Sequence, residues 1–421
     1  MTGLVFMCII VNEAAQRVEI RGNLEKIVIN KKTNPLSFQK VSIVIIIFLL
    51  IPTLSNYNFP QEEYAARVVS IEVPVRVYKR GHFVKDLSIH DFLLYEDGVQ
   101  QRIDAVYLIK KKTIQREEKH DEAVKTRESE IESRNFVFVF EIRYYLPKLD
   151  EVMDYFFNKM MLPGDSLKIY TPVRAYTIKD DAFKVLPKQK IADQLKAKLR
   201  KDIVMGASDY RSLYDQIRTI VYTEGFKPKG LACMDILRKM KSLQQINVSK
   251  LTQLAESLKQ TEGEKHVFLF YQKQSLPIPD FIDVFQRMEL LNSMPQHVEE
   301  IKTAFSDASI SGHFVFITKK PSDELDLTRM TNYADQEIKM EDSSAEIFGA
   351  FNDLAKATGG LTESSANVAV AFQKIVEASE NYYLVYYTPK EYKADNRFHK
   401  IEIRIRGGGY RITHRAGYIA D

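Results

Sequence analysis

The chain has 421 residues, 45% of them apolar, with 24 Phe and 22 Tyr but no Trp, which is enough for two or three domains with full cores. Residues 1–54 hold six Lys or Arg and three acids, so the remainder carries 54 basic against 53 acidic side chains within a net charge of +4; that balance removes the electrostatic case for nucleic-acid binding. There are two cysteines, Cys8 and Cys233, and loss of the N-terminus would leave Cys233 alone, with no internal disulfide.

Val41–Leu54 is the strongly apolar run, preceded by Lys31, Lys32 and Lys40 and followed by Ser55. A basic region before an apolar core of this length is a signal-peptide pattern, and the run falls short of the ~20 residues of a spanning helix. The readings of residues 1–55 are a signal peptide with an upstream extension, an uncleaved membrane anchor, or a buried element. Export places the mature start near Ser55 or Asn56.

Residues 55–66 read as a polar linker. In 67–109, Val69, Ile71, Val73, Val75 and Val77 alternate with Ser70, Glu72 and Arg76, which predicts a half-buried strand. Pro74 on its polar side suggests an edge or a bulge. Ser88 and Asp91 have capping-box spacing, and Asp97-Gly98 is a hairpin turn signal. Residues 110–134 hold 15 charged side chains of mixed sign and read as a solvated linker or a short exposed helix.

From Asn135 to about 380 the pattern changes. Apolar runs at 136–140, 167–170, 267–271 and 314–317 alternate with helical periods. Leu149, Val152, Met153, Phe156 and Met160 share one helix face; so do Leu251, Leu254 and Leu258, and Ile347, Phe351 and Leu354. The last helix stops at Gly359-Gly360. Strands alternating with helices predict a parallel sheet covered on both sides. In 381–421, Ile401, Ile403 and Ile405 alternate with Glu402, Arg404 and Arg406. This segment and 67–109 each have an apolar face to bury, so they are expected to form one β-sandwich with the α/β domain inserted between them.

No catalytic arrangement is present. The chain lacks G-x-S-x-G, H-E-x-x-H, C-x-x-C and a P-loop. No enzyme activity and no cofactor are expected.

The order of these features resembles the bacterial von Willebrand factor type A-related proteins, from about Val68 to Tyr418. Three stretches carry the likeness: "VPVRVYKRGHFVKDLSIHDFLLYEDGVQQRI"; the middle with "MLPGDSLKIYT", "RSLYDQI" and "LAKATGGL"; and "YYLVYYTPK" to "FHKIEIRIRGGGYRITHRAGY". The resemblance implies an α/β, doubly wound mostly parallel sheet of the von Willebrand A type, inserted in a β-sandwich built from the N- and C-terminal strands. It also implies an exported, periplasmic, envelope or extracellular location and a role in binding other proteins.

That family often holds a divalent cation in a D-x-S-x-S loop, with a Thr and an Asp from two further loops. Here Glu141 stands for the first Asp, Arg143 and Tyr145 for the serines, and Arg211 for the Thr. Gln272 stands for the later Asp and Lys273 for its Gly. No position keeps the pattern residue. The edge is then a packed or solvated loop edge, a metal-free binding surface built on Arg143, Arg211 and Tyr145, or a divergent metal site. Without a cation, an arginine is expected to pair with Glu141. The expected function is that of a non-enzymatic exported protein that binds a protein partner through this loop edge without a metal; the alternative is a scaffold or spacer in an envelope assembly.

Overall fold

The computed structural model describes residues 69–421 except 112, 120–128, 131–132, 180, 224–227, 292–297, 319–336 and 421. The expected signal or anchor segment Val41–Leu54, the linker 55–66 and much of the charged segment lie outside the described residues. Among the described residues no helix is long and apolar enough to cross a membrane.

Alternation sets the first strands: β1 (Ile71–Lys79), β2 (His82–Phe83), β3 (Phe92–Glu96), β4 (Val99–Gln101) and β5 (Ile103–Lys110). Val73, Val75 and Val77 are fully buried. Ser88 and Asp91 close their capping box around a short 3-10 turn, with the Ser88 N–H 2.7 Å from the Asp91 carboxylate. Asp97 and Gly98 both take positive φ, the geometry that a two-residue hairpin needs. The charged segment departs from expectation. It contributes two strands, β6 (Thr113–Lys119), paired to β5, and β7 (Ser129–Glu130). A free sheet edge supplies backbone partners for β6, and its charges are absorbed in pairs such as Arg116–Glu118 at 2.9 Å.

The middle of the chain begins with β8 (Arg134–Glu141) and α1 (Lys148–Tyr155), which widens into a π turn at Phe156–Met160. Next come β9 (Ser166–Tyr170), β10 (Ala175–Ile178), α2 (Asp181–Val185), α3 (Lys188–Gly206), α4 (Ser208–Tyr222), α5 (Lys229–Gln244) and α6 (Val248–Lys259). They are followed by β11 (Glu264–Gln272), β12 (Ser275–Pro279), α7 (Val284–Leu291), α8 (Val298–Asp307), β13 (Ile310–Ile317), β14 (Ile338–Asp342), α9 (Ala345–Ala357), β15 (Thr362–Ser365) and α10 (Val368–Ser379). A six-stranded sheet runs β10-β9-β8-β11-β13-β15. Phe136, Phe138 and Phe140 pack on one face, with α1, α3 and α10; Val137 and Val139 pack on the other, with α6, α8 and α9. The helix faces read from the sequence are the buried ones. At the end of α9 a Cβ on Gly360 would lie 1.8 Å from the Gly312 carbonyl oxygen, so this close approach requires glycine.

The last strands are β16 (Asn381–Tyr387), β17 (Phe398–Ile405), β18 (Arg411–His414) and β19 (Gly417–Ile419). They complete a seven-stranded sheet, β18-β1-β16-β5-β6-β7 with β2 on β1, and a four-stranded sheet, β19-β17-β3-β4. β1 pairs with β16 in the register Val75↔Tyr383, while β18 pairs with β1 only from Val75 onward. One side of β1 beside Pro74 therefore lacks a ladder partner in β18. Val73, Val75 and Val77 share a core with Ile401, Ile403 and Ile405.

The expected fold class, a doubly wound mostly parallel sheet inserted in a β-sandwich, needs correction. Parallel pairing occurs between β8 and β9, β8 and β11, β11 and β13, and β13 and β15. The other described pairings are antiparallel. The protein is mixed α/β with mostly antiparallel sheets. Some antiparallel pairs are hairpins of sequence neighbours, such as β3–β4 and β5–β6, where short turns enforce the direction; others, such as β1–β16, β5–β16 and β3–β17, join strands from the two ends of the chain. Two further antiparallel contributions, β6 with β7 and the β12–β14 pair, come from stretches that carry no strand signal of their own.

Candidate functional site

The predicted loop edge lies where β8 and β11 end. Gln272 is the last residue of β11 and is completely buried. Its side-chain oxygen accepts the backbone N–H groups of Arg143, at 3.2 Å, and Tyr144, at 3.0 Å. One amide thus fixes the path of the chain leaving β8. The Arg143 guanidinium lies 4.5 Å from the centre of the Tyr210 ring and donates to the Leu243 carbonyl at 2.5 Å. Its Nη1 is buried without a partner. Burial lowers the Arg143 pKa, against the opposing pull of Tyr210, Tyr271 and Glu141. Burial likewise pushes the Glu141 carboxyl up to about 6, with Lys250 and Arg143 opposing.

The structure therefore brings Glu141, Arg143 and Gln272 together and separates the other two. The Tyr145 hydroxyl donates to Asp150 of α1, and Arg200 of α3 stacks 4.8 Å over its ring. Arg211 is exposed in the first turn of α4 and donates to the Val204 carbonyl at 2.7 Å. Its neighbour Tyr210 is the residue that reaches Arg143, one position from the sequence reading. The expected pairing of an arginine with Glu141 is also corrected: the Arg143 guanidinium takes the Tyr210 ring and the Leu243 carbonyl, and Arg211 takes the Val204 carbonyl. Lys273 pairs with Asp342 at 2.6 Å.

A cap sits on this edge. α4, α5, α7, β12 and β14 share a small core that includes Ile217, Leu237, Met240, Leu276, Ile278 and Leu290. Tyr210 links two of its elements by donating to the Ser275 carbonyl at 2.6 Å, and the Arg143 guanidinium meets the Tyr210 ring from the loop edge. Buried Cys233 belongs to this core, and burial pushes its thiol up to about 11. The cap exposes several large apolar side chains beside the charged Asp283 and Glu289. Phe285 is 80% exposed, Val284 61%, Met288 57% and Phe281 41%.

A second concave site, absent from the sequence reading, lies at the opposite end of the six-stranded sheet. It is a cleft of about 710 Å³ between the starts of β11 and β13 and the outer face of the seven-stranded sheet. Tyr107, Tyr382, Leu384 and Tyr386 form one wall, and Arg76, Glu264, His266 and Arg415 are among the polar lining. A hydrogen-bond chain runs behind it. The Leu361 N–H donates to His313 Nδ1 at 3.3 Å, which leaves His313 Nε2 to donate to His266 Nδ1 at 3.2 Å. His266 Nε2 then donates to Glu264 at 3.0 Å, and the Tyr382 hydroxyl donates to the same carboxylate. Burial, then His266 and Arg76, lower the His313 pKa well below the ordinary value, in keeping with an Nδ1 that accepts from the Leu361 N–H.

Among the described residues the group with metal-ligand spacing is Glu96, Asp97 and His399, away from the loop edge. It is closed on itself: Tyr387 and Tyr418 donate to Glu96, and His399 sits between Asp97, at 2.8 Å, and Asp395, at 3.3 Å.

No family model matches the chain, and no curated protein matches it. Among solved structures it is similar to the human COPII-coat protein Sec24c, with 7% identity and a TM-score of 0.30 over 69% of this chain. The match spans 44% of the Sec24c chain, and a likeness at this level carries no argument about fold or function.

Proposed function

We propose that this is a non-enzymatic, exported binding protein, as its resemblance to von Willebrand A-related proteins implies, and that it docks a protein partner at the loop edge without a divalent cation. The observation that carries this reading is the apolar face of the cap, where Phe281, Val284, Phe285 and Met288 stand exposed. Large apolar side chains exposed together on one short segment mark interaction sites, and a helix presenting them fits an apolar groove on a partner. Arg143 and Gln272 are positioning residues here: Gln272 sets the loop and Arg143 holds Tyr210 of the cap. Charges around α7 are already paired, Arg287 with Glu341 at 2.9 Å and Arg238 with Glu289 at 2.8 Å. A partner with an apolar groove and a neutral polar rim is therefore the complementary one, and its binding is expected to resist salt.

The test is cross-linking and affinity capture from envelope extracts with wild type and Phe285→Ser/Met288→Ser protein. A partner that survives chelator and high salt but is lost with the double substitution supports the reading. Capture that needs Mg²⁺ or Ca²⁺, or that ignores the substitutions, sinks it. N-terminal sequencing from fractionated cells tests export; a cytoplasmic product retaining Val41–Leu54 would refute that part.

A further inference from the structure

The cleft at the opposite end of the sheet contains two buried guanidinium groups that, among the described residues, form no salt bridge. Arg76 is 1% exposed and Arg415 is 6% exposed, and the Nε of each has no hydrogen-bond partner. Arg76 donates to the Gly359 carbonyl, and Arg415 donates to the Ser309 hydroxyl at 2.6 Å. Both flank one corner: the Arg415 backbone bridges to Thr358, next to Gly359. Three of the four carboxylates that line the cleft are bonded to other groups. Glu264 accepts from Tyr382 and His266, Glu72 accepts from Tyr386 at 3.1 Å, and Asp307 pairs with Lys259 at 2.9 Å. Glu264 attracts Arg76, and Glu72 and Asp307 attract Arg415, only through space; a buried guanidinium without a bonded carboxylate is costly, and two at one corner of an open cleft make a place for an anion.

We propose that this cleft binds a small phosphomonoester, with its phosphate between Arg76 and Arg415 and its organic body against Tyr107, Tyr382 and Tyr386. A dianion matches two guanidinium charges, and the fork of each arginine suits phosphate oxygens. Hydroxyls of Ser309 and Thr358 line the same corner. A volume of about 710 Å³ is far more than a bare phosphate fills and lies within the size range of small-ligand sites. The tyrosine wall supplies flat apolar faces for a ring.

Calorimetric titration with phenyl phosphate tests this, with inorganic phosphate and benzoate as comparison probes. Saturable binding of phenyl phosphate is expected, tighter than that of either comparison probe. It should weaken at least about tenfold in Arg76→Met and in Arg415→Met and stay unchanged in Arg397→Met, a change at an exposed arginine. Hydrogen exchange of the wild type with phenyl phosphate keeps the test decisive if the two variants fail to fold; slowing is expected at residues 309–311, 358–359 and 415. No saturable binding at millimolar probe overturns the proposal. So does benzoate binding as tightly as phenyl phosphate, undiminished binding in both variants, or protection confined to other residues.

Discussion

Replacing Gln272 by Met isolates the bond that shapes the loop edge. The side chain is completely buried and its oxygen accepts two backbone N–H groups, from Arg143 and Tyr144. Met keeps the length and removes the acceptor. Each orphaned amide costs ~1–3 kcal/mol. Both contacts are only partly buried, so water recovers some of this and the lower end, ~1–1.5 kcal/mol each, applies. Met in turn avoids the cost of burying a carboxamide, ~1 kcal/mol. The net loss is about 1–2 kcal/mol, or a melting midpoint lower by about 2–4 °C in a domain of this size. Urea unfolding followed by tyrosine fluorescence measures it, because no Trp obscures the signal. An unchanged slope with a lower midpoint is the expected result. A midpoint equal to or above that of wild type would refute the assignment, since the two amides would then have found other acceptors.

Two further predictions concern charge. The Glu141 pKa is raised to about 6 by burial, so the native state holds its proton longer than the unfolded chain, and the stability this confers is present below about 4.5 and lost as pH rises through about 6. Glu141→Gln should therefore flatten this stretch of the stability–pH profile and stabilise the protein at pH 7 by up to roughly 2 kcal/mol; identical profiles for variant and wild type would contradict it. Arg134 and Asp165 form a buried two-point pair, at 3.2 and 2.5 Å, and the Leu162 N–H donates to the same carboxylate. Asp165→Ala leaves that guanidinium buried and unpaired, and a loss of ~3–5 kcal/mol is expected in denaturant unfolding.

The central strands and helix faces were legible because burial leaves a local period, as in Phe136, Phe138 and Phe140 against Val137 and Val139. Pairing direction leaves no such trace, and this is why the mostly parallel reading failed for the protein as a whole. β6, "TIQREEK", reads as solvated because its pairing is through backbone and its charges pair with one another. β12, "SLPIP", carries two prolines and reads as no strand, yet all five of its residues are buried. At the loop edge, strand ends located Arg143 and Gln272, but burial and the stacking on Tyr210 come from distant helices. The cleft was invisible because β1, β11, β13, β16 and Arg415 meet there from across the chain. Arg76 sits on the polar face of β1, which in one sheet would be solvated; the second layer is what buries it.

The pairing of β1 with β16 also governs when the protein can assemble. β1 ends at Lys79 and its long partner begins at Asn381, so roughly 300 residues must be made in between, or about 15–60 s of synthesis. Throughout that interval the six-stranded sheet can complete up to β15, while Val73, Val75 and Val77 have Leu87, Phe92, Leu94 and Val106 beside them but lack Tyr383, Val385, Tyr387, Ile401, Ile403 and Ile405 of the same core. Contacts this far apart in sequence close slowly and late. The strand layer is therefore the last part of the molecule to form, and a chain stalled before residue 381 would carry a finished α/β layer tethered to bare, adhesive β-strands.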